Sequence, residues 1–561
     1  MRRQSSNRRL AGNRRLAIFM GVAVVFLAAL FVRTFYVQVV AAPSLKEQAQ
    51  EQSIRTVALD APRGIIYDRD GCQLAVSAGR ETVYANPREV ADPDAAAERL
   101  GDVLGLSVDD LAAKLRRDTQ FVYLARKVSS TKGDAVKALG LSGITVCAED
   151  KRVYPNGALA PQLLGFVGTD GTGLAGLEKE YDELLTGEAG QAQVVSDPDG
   201  NRLRTTSLKE AVPGRSITLT IDEGIQFETE KVLTGVVEEF KALKACAVVI
   251  DPRNGEILAM ANTPVFDTNA FGSVEEKDRR NSVVTDQYEP GSTFKMIVAA
   301  AALEGGLVTP DTTFTLGRQV QVYDRVVHEA HEDNLPSMRE LSVTQIIAQS
   351  SNVGAVVLGK EVGKDRLADM IYKFGFTQKL GIDFPGETPG MMLEPDDWSG
   401  TTIANVPIGQ GISVTPLQMA ASYAAVANDG LLVQPHLVRD VSSPWSRRVV
   451  SEKVAAQLRA MLLAVTEEDG TGTNACIAGY EVAGKTGTAQ KVDEKTGKYA
   501  VDRFVASFVG MVPADDPRVV VLVMVDEPKT QHLGALVAAP AFAEIAGLSL
   551  KILGVAPNGA D

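Results

Sequence analysis

An apolar segment near the N-terminus limits the architecture of this chain more than any other feature of its sequence. Residues 16–32 are apolar or glycine without interruption, and after Arg33-Thr34 the apolar character continues to Val40. A run of this length can cross the roughly 30 Å hydrocarbon core of a bilayer as one helix. Six arginines and no acidic residue precede it in residues 1–15, so the positive-inside rule places the N-terminus in the cytoplasm and the body outside.

The alternative is a cleaved signal peptide, which also begins with positive charge and continues with an apolar core. The sequence Val40-Ala41-Ala42 only loosely imitates a cleavage site, and the apolar run is longer than a usual signal core. We therefore predict a basic cytoplasmic tail over residues 1–15 and one uncleaved transmembrane anchor over residues 16–40. No later segment has the character of a second span.

The body of the chain is acidic. The 561 residues carry a net charge of −14, of which the tail contributes +6, so the remainder carries −20. Nucleic-acid binding depends on clustered lysine and arginine, so this balance argues against such a partner. The four cysteines form no C-x-x-C pair, and His328-Glu329-Ala330-His331 departs from the H-E-x-x-H pattern. We predict no metal site, no cofactor and a solvated loop around His328.

The sequence pattern divides the body near residue 214. Residues 41–213 offer no nucleophile beside a base and are predicted to form an elongated non-catalytic stalk or dimerisation-type domain, with a helix over 173–185 and a turn over 197–200. Residues 214–561 predict an α+β fold, an antiparallel sheet flanked by helices. Its clearest elements are a helix over 223–240, a hairpin over 247–260 with Asn254-Gly255 at its tip, strands over 504–512 and 519–525, and a final helix from Ala539.

The strongest candidate for chemistry is the segment 289–303. Pro290-Gly291 interrupts the chain, and the apolar run that follows predicts a buried helix beginning near Ser292. Lys295 comes three residues later, so the two side chains share a helix face and can meet. A hydroxyl needs an adjacent base to act as a nucleophile, and a lysine in an apolar wall near a helix N-terminus loses proton affinity. The pair predicts a serine nucleophile with a lysine base.

Two further motifs follow Ser292 in the chain. Ser350-Ser351-Asn352 comes directly after a predicted helix, and Lys485-Thr486-Gly487-Thr488 lies on a predicted strand. Neither motif is specific alone, and Ser129 and Lys132 repeat the Ser-x-x-Lys spacing in a polar stretch. Only the set beginning at Ser292 occurs in order at a helix start, a turn and a strand.

Attack on an amide carbonyl needs a hydroxyl, a base, a proton path to the leaving amine and an oxyanion hole. We predict that Ser350 relays the proton and that Asn352 hydrogen-bonds both Lys295 and the substrate backbone. The strand motif supplies the rest of the site: Lys485 for a carboxylate, Gly487 for close approach of an extended peptide, and the hydroxyls of Thr486 and Thr488. The predicted substrate is an extended peptide with a nearby free carboxylate.

The three motifs together are a known signature of penicillin-binding proteins and serine β-lactamases. Over almost everything after residue 15, the chain resembles a class B penicillin-binding protein, the monofunctional peptidoglycan transpeptidase. Segments outside the three motifs share the resemblance: Arg63-Gly64 through Asp68-Arg69-x-Gly71, Gly173-x-x-Gly176-Leu177-Glu178, Asp286 to Lys295, Gly409 to Gln418, and Ala483 to Gln490.

The resemblance implies a reaction. Ser292 would be acylated by the penultimate D-Ala of a stem pentapeptide with release of the terminal D-Ala, and an amine of a neighbouring stem would resolve the acyl-enzyme into a cross-link. The backbone N–H groups of Ser292 and Thr488 would form the oxyanion hole. β-Lactams would acylate Ser292 as substrate mimics.

The short stalk, the absence of an added C-terminal repeat domain and the ending near Val555-Ala556-Pro557 resemble the division-specific septal branch. That branch implies a polytopic membrane glycosyltransferase and other division proteins as partners, contacted through the anchor and the stalk. The elongation branch is the first alternative. A β-lactamase would be smaller and carry a deacylating glutamate, a β-lactam sensor would have several spans, and a silent scaffold would have lost Ser292, Lys295 or Lys485.

Overall fold

The computed structural model describes residues 4–46, 54–196, 202–330, 336–439, 443–493 and 495–557. The turn predicted over residues 197–200 and His331 lie outside them. The strands are β1 Ile54–Leu59, β2 Ile66–Tyr67, β3 Gln73–Ala78, β4 Glu81–Ala85, β5 Val122–Val128, β6 Ile144–Ala148, β7 Lys151–Val153, β8 Gly190–Ser196, β9 Arg202–Lys209, β10 Ile217–Thr218, β11 Lys244–Ile250, β12 Ile257–Asn262, β13 Thr313–Gly317, β14 Gln319–Val322, β15 Arg325–His328, β16 Met338–Ser342, β17 Met391–Met392, β18 Ile412–Ser413, β19 Leu431–Val433, β20 Ser446–Arg448, β21 Ala483–Val492, β22 Tyr499–Val512 and β23 Val519–Asp526. The α-helices are α1 Gln4–Phe35, α2 Pro93–Leu104, α3 Val108–Leu115, α4 Ser130–Ala138, α5 Pro161–Leu164, α6 Gly176–Glu180, α7 Asp182–Leu185, α8 Glu223–Phe240, α9 Ser282–Thr285, α10 Lys295–Glu304, α11 Val343–Ala348, α12 Asn352–Val362, α13 Lys364–Lys373, α14 Thr402–Asn405, α15 Pro416–Ala427, α16 Glu452–Leu463 and α17 Gly534–Ile552.

The predicted anchor is helical. Helix α1 continues through a π-helical turn over Tyr36–Val40, and the span Leu16–Val40 has a mean hydropathy of 2.5 with none of its residues buried in the protein. This segment fits a single membrane-spanning helix. Helix α17 is also long and apolar, but half of its most apolar stretch is buried inside the protein, as expected of a core helix.

The chain forms two compact units. The first comprises residues 1–61, 80–149 and 188–213, and the second comprises residues 62–79, 150–187 and 214–561. In the first unit, β4 lies between β5 and β6 in one antiparallel sheet, and β8 lies between β1 and β9 in another. Helices α2 and α3 bury Leu100 and Leu111 in the same apolar cluster as Val83 of β4.

The second unit is built on an antiparallel sheet with the strand order β12-β11-β23-β22-β21. Successive residues of a strand face opposite sides, so Cys246 and Val248 join the apolar cluster that contains α10 and α15, whereas Ala247 and Val249 join the cluster that contains α8 and α17. The sheet is therefore covered on both faces. The predicted α+β fold, the hairpin at Asn254-Gly255 and the two late strands are confirmed.

Two predicted helices differ from the observed ones. The helix predicted over 173–185 is two short helices, because Tyr181 leaves the helical region at φ −105° and ψ 24° between α6 and α7. The last helix begins at Gly534, five residues before the predicted start. There, the Gly534 N–H donates to the Thr488 hydroxyl at 2.9 Å, and the helix accommodates Pro540 in its interior.

The two family-like segments around Arg63 and Glu178 meet in a buried ion cluster of the second unit. The Glu178 carboxylate accepts from Arg63 Nε at 2.7 Å and from Arg152 Nε at 2.6 Å, and its side chain is fully buried. Arg63 also donates to Asp182 at 2.7 Å, and Arg152 donates to the Gly64 carbonyl at 2.7 Å. The Glu178 carboxylate of α6 thus links this helix to the segment around Arg63, which lies 115 residues earlier in the chain.

Glu178→Gln is expected to destabilise the protein by about 3–5 kcal/mol, because it leaves two buried guanidinium groups facing a neutral amide. Denaturant unfolding of the full chain in detergent measures this change. The matched control is Glu180→Gln in the same short helix, where the side chain is exposed and the expected change is within about 0.5 kcal/mol. Equal effects of the two substitutions would contradict a structural role for the cluster.

Candidate active site

Ser292 lies on a short 3₁₀ turn, Gly291–Phe294, that runs directly into α10. The helix that was predicted to begin near Ser292 therefore begins three residues later, at Lys295. The turn is fixed from behind: Gly291 is left-handed at φ +55° and its N–H donates to the Gly409 carbonyl at 3.1 Å, while the Tyr423 hydroxyl donates to the Thr293 carbonyl at 2.9 Å. These contacts hold Ser292 half-buried at a defined position.

The side chain of Lys295 is fully buried and faces the Ser350-Ser351-Asn352 motif. Its Nζ lies 2.6 Å from the Ser350 carbonyl, 2.7 Å from Asn352 Oδ1 and 3.2 Å from Ser350 Oγ. Burial lowers the pKa of Lys295 to about 7, against an opposing influence of the Glu329 carboxylate. Two carbonyl-type oxygens accept both hydrogens of a neutral amine, which leaves its lone pair for a hydroxyl.

The structure does not bring Ser292 and Lys295 into a hydrogen bond. Within the described parts of the chain, no group hydrogen-bonds the Ser292 hydroxyl. Catalytic hydrogen bonds often close only when substrate is bound. The hydroxyl is thus left available to a ligand, one turn from the buried amine.

The Ser350-Ser351-Asn352 motif adopts a constrained conformation. Ser350 has a φ of +57°, which is unfavourable for a residue other than glycine and is found at functional sites. The Ser351 hydroxyl accepts from the Gly354 N–H at 2.9 Å and so caps α12. The side-chain amide of the neighbouring Asn352 points to Lys295. The backbone turn at Ser350 and the cap by Ser351 together fix this orientation.

Glu329 supports this motif, and sequence reasoning missed it. Its carboxylate accepts from the Ser351 hydroxyl, from the Asn352 N–H at 2.8 Å and from Arg339 at 2.8 Å, and only 7% of the residue is exposed. The predicted solvated loop is therefore wrong at this position, because a cation and two donors compensate the buried charge. No local pattern marks Glu329, since these partners lie 10 to 23 residues away in sequence.

The third motif lies on β21 as predicted. Lys485 is fully buried, and its pKa lies well below the ordinary value because of burial and the nearby charge of Lys295. Its Nζ donates to Thr486 Oγ1 at 3.3 Å, and that oxygen lies 3.2 Å from the Thr471 hydroxyl. Thr471 therefore joins the site from a loop in which no sequence motif marked it, and Thr488 is the hydroxyl that positions α17.

Gly487 is required by packing in this structure. A Cβ atom there would lie 2.4 Å from Ser507 Oγ and 3.0 Å from Thr293 Cγ2. A side chain at position 487 would therefore require Ser507 and the Ser292 turn to shift. This close packing places the third motif beside the first. The predicted role of Gly487 in admitting an extended peptide remains a prediction.

The eight predicted site residues thus occupy one region of the second unit, formed by the Ser292 turn, the start of α12 and strand β21. The segment from Gly409 to Gln418 also meets this region, since Gly411 N–H donates to Glu289 at 2.8 Å. A buried amine of lowered pKa, the nearby serine and threonine hydroxyls and the second buried amine, that of Lys485, suit acyl transfer from a substrate with a carboxylate.

Comparison with known proteins gives matches over both units. Residues 245–547 match the penicillin binding protein transpeptidase domain, and residues 58–219 match the penicillin-binding protein dimerisation domain. The chain is 37% identical to the probable peptidoglycan D,D-transpeptidase PenA of Neisseria meningitidis, over 96% of this chain and 93% of that protein. It is 32% identical to the peptidoglycan D,D-transpeptidase FtsI of Escherichia coli, over 97% and 92%.

Among solved structures, the chain is similar to penicillin binding protein 3 of Mycobacterium tuberculosis in complex with aztreonam. The TM-score is 0.71 and the sequence identity is 32%, with 90% of this chain and 98% of that chain covered. The similarity therefore extends through both compact units of the fold.

Proposed function

The chain belongs to the class B penicillin-binding proteins, and from this membership we propose that it cross-links stem peptides through a Ser292 acyl-enzyme during septal cell-wall synthesis. Proteins of this class are serine-type peptidoglycan D,D-transpeptidases, and this chain is one of them. The proposal adds the roles of its residues, its place in division, its sensitivity to β-lactams and its topology.

The contact of Lys295 with the second motif carries the proposed mechanism. Ser292 Oγ attacks the carbonyl carbon of the penultimate D-Ala while Lys295 Nζ takes the hydroxyl proton, which requires the neutral amine that a pKa of about 7 provides. Ser350, 3.2 Å from that nitrogen, passes the proton to the departing amine of the terminal D-Ala. An acceptor amine then attacks the ester, its proton returns to Ser292, and the cross-linked peptide leaves.

Strand β21 is the proposed carboxylate and oxyanion side of the site. The ammonium form of Lys485, with the hydroxyls of Thr486 and Thr488, would face the terminal carboxylate of the donor peptide, which restores the charge that burial disfavours. The backbone N–H groups of Ser292 and Thr488 would stabilise the oxyanion. Gly487 holds this strand against the Ser292 turn.

Glu329 is proposed as a positioning residue. Glu329→Gln is expected to slow acylation by fluorescent penicillin by roughly tenfold or more, because hydrogen bonds to a charged acceptor contribute about 1.5–3 kcal/mol. It is also expected to move the pH midpoint of acylation downward, since Glu329 raises the pKa of Lys295. Glu340→Gln, at an exposed position, is the control. Slower acylation with an unchanged pH midpoint would contradict the proposed influence of Glu329 on the pKa of Lys295.

The proposed β-lactam sensitivity is tested by the lifetime of a covalent adduct. Purified protein labelled with fluorescent penicillin is expected to keep its label for many minutes, because a transpeptidase lacks rapid deacylation. Loss of label within seconds with turnover of the antibiotic would indicate a β-lactamase. Absence of label on folded protein would indicate a scaffold without activity.

The septal role rests on the likeness to the division-specific branch, and depletion in the organism of origin tests it. Loss of the protein is expected to give filaments without septa, and a fluorescent fusion is expected to gather at the division site. Swollen or rounded cells with dispersed fluorescence would instead assign the chain to elongation.

The proposed topology has the N-terminus in the cytoplasm, the two units outside the membrane and the anchor in contact with a polytopic glycosyltransferase and other division proteins. None of the span Leu16–Val40 is buried by the rest of the chain, so its surface is available to other membrane helices. Cys72 and Cys476 are exposed, and a membrane-impermeant maleimide is expected to label both on intact spheroplasts. Labelling only after lysis would reverse the topology.

A further inference from the structure

A groove in the second unit, apart from the Ser292 site, has no role in the reaction described above. Its volume is about 980 Å³, and it runs along α8, with the β2–β3 turn and the loop before α5 as its other wall. Lining residues occur on α8 from Glu223 to Glu238. At 1.5 Å per residue this is roughly 22 Å, which is longer than a compact metabolite and matches about seven residues of extended chain.

The groove combines an apolar anchor point with an acidic rim. Phe227 is 55% exposed on α8, a large apolar side chain left open to solvent, and Leu159 and Val265 contribute to the same surface. Of its sixteen lining residues, all in described parts of the chain, six are acidic and Lys231 is the one that is basic. That ammonium is engaged by Glu228 at 2.9 Å.

The acidic side chains of the rim differ in the hydrogen bonds that they already accept and in their protonation. Asp68 accepts from the N–H groups of Asp70 and Cys72, and Glu223 accepts from Asn156 at 2.7 Å. Burial raises the pKa of Glu230, another of these six acids, to about 8, so Glu230 is mostly neutral at pH 7.

Asp70, on the β2–β3 turn, and Glu238, in the last turn of α8, line the groove and are exposed. They have no ion-pair partner among the described residues. The lining is therefore predominantly negative, and the charges of Asp70 and Glu238 are not compensated by an ion pair within the described residues.

We propose that this groove binds a segment of a partner protein that presents an apolar side chain between lysines or arginines. The apolar side chain would pack on Phe227, where a desolvated aromatic contact supplies most of the binding free energy. The flanking cations would face Asp70 and Glu238, which aligns the segment along the groove and speeds encounter. Charge complementarity selects a basic occupant and disfavours acidic segments like those of this chain's own body.

The native cysteines allow a direct test on the full-length protein in detergent. Cys72 lines the groove, whereas Cys476 is exposed elsewhere, so each molecule contains its own control. The probe is a peptide of about ten residues in which Phe and Leu alternate with Lys. It is expected to slow maleimide alkylation of Cys72 by roughly tenfold, read by mass spectrometry, and to leave the rate at Cys476 unchanged. The counterpart with Glu in place of Lys is expected to protect neither.

Two pairs of surface variants separate the groove from the general acidity of the protein. Glu238→Lys and Phe227→Ser are expected to abolish the protection. Glu239→Lys, the next residue on the same helix but outside the groove, and Leu243→Ser, which is 60% exposed, are expected to retain it. All four positions are exposed, and unchanged denaturant midpoints verify folding.

Three outcomes would overturn the proposal: no selective protection of Cys72 by the Lys peptide, equal protection by the Glu peptide, or an equal loss in Glu238→Lys and Glu239→Lys. Spermidine serves as a second probe. Full protection of Cys72 by spermidine, with no further effect of the apolar side chains, would make the groove a site for small polycations and would also contradict a peptide partner.

Discussion

Ser292→Ala is expected to remove covalent labelling by fluorescent penicillin, with a fall in acylation rate of at least about 10³-fold. The Ser292 hydroxyl is the nucleophile in the proposed mechanism, whereas the Ser350 hydroxyl, 3.2 Å from Lys295 Nζ, is assigned the proton relay. The substitution removes one half-buried oxygen to which no described group hydrogen-bonds. The fold should therefore persist, and gel fluorescence with intact-mass measurement checks both points.

The chain contains its own matched control. Ser129 precedes Lys132 with the same spacing, but its hydroxyl accepts from the Lys132 N–H at 3.3 Å and caps α4. Ser129→Ala is expected to cost about 1 kcal/mol of stability as a lost helix cap and to leave labelling unchanged. Persistent label on Ser292→Ala, mapped by peptide digestion to another serine, would contradict the assignment of the nucleophile.

This pair of serines shows what a sequence can and cannot specify. Spacing alone treats Ser129 and Ser292 alike. The apolar run after Ser292, which becomes α10 with Lys295 fully buried at its start, distinguishes them because burial removes proton affinity from the amine. Hydrophobic periodicity is local, so the helix, the hairpin at Asn254-Gly255 and the late strands were all predictable.

The features that sequence reasoning missed depend on contacts between distant segments. Glu329, Thr471 and the Arg63–Glu178 pair each have their partners on other elements, at separations of 15 to 115 residues for the contacts that define their roles. Isolated charged or hydroxyl residues in such positions have the pattern of a surface loop. Only the folded chain shows that the same charges are buried and compensated.

The second large effect is expected for Lys295→Met, which should slow acylation by about 10²–10⁴-fold. Methionine keeps the apolar bulk of a fully buried side chain but removes the proton acceptor. It also leaves the Ser350 carbonyl and the Asn352 amide without the donor that now lies 2.6 and 2.7 Å away. The substitution therefore affects both proton transfer and the orientation of Ser350 and Asn352.

The pH dependence separates these two contributions. The pKa of Lys295 is about 7, so the neutral base increases as the pH rises through 7, and the wild-type acylation rate is expected to rise with it and level off above. Lys295→Met is expected to show no inflection near pH 7, while Lys364→Met, on an exposed helix end, keeps the wild-type profile. If Lys295→Met is slow yet retains the inflection, the titrating base lies elsewhere and Lys295 acts through position alone. Lys485 is then the next residue to substitute, because its amine is equally buried and burial also lowers its pKa.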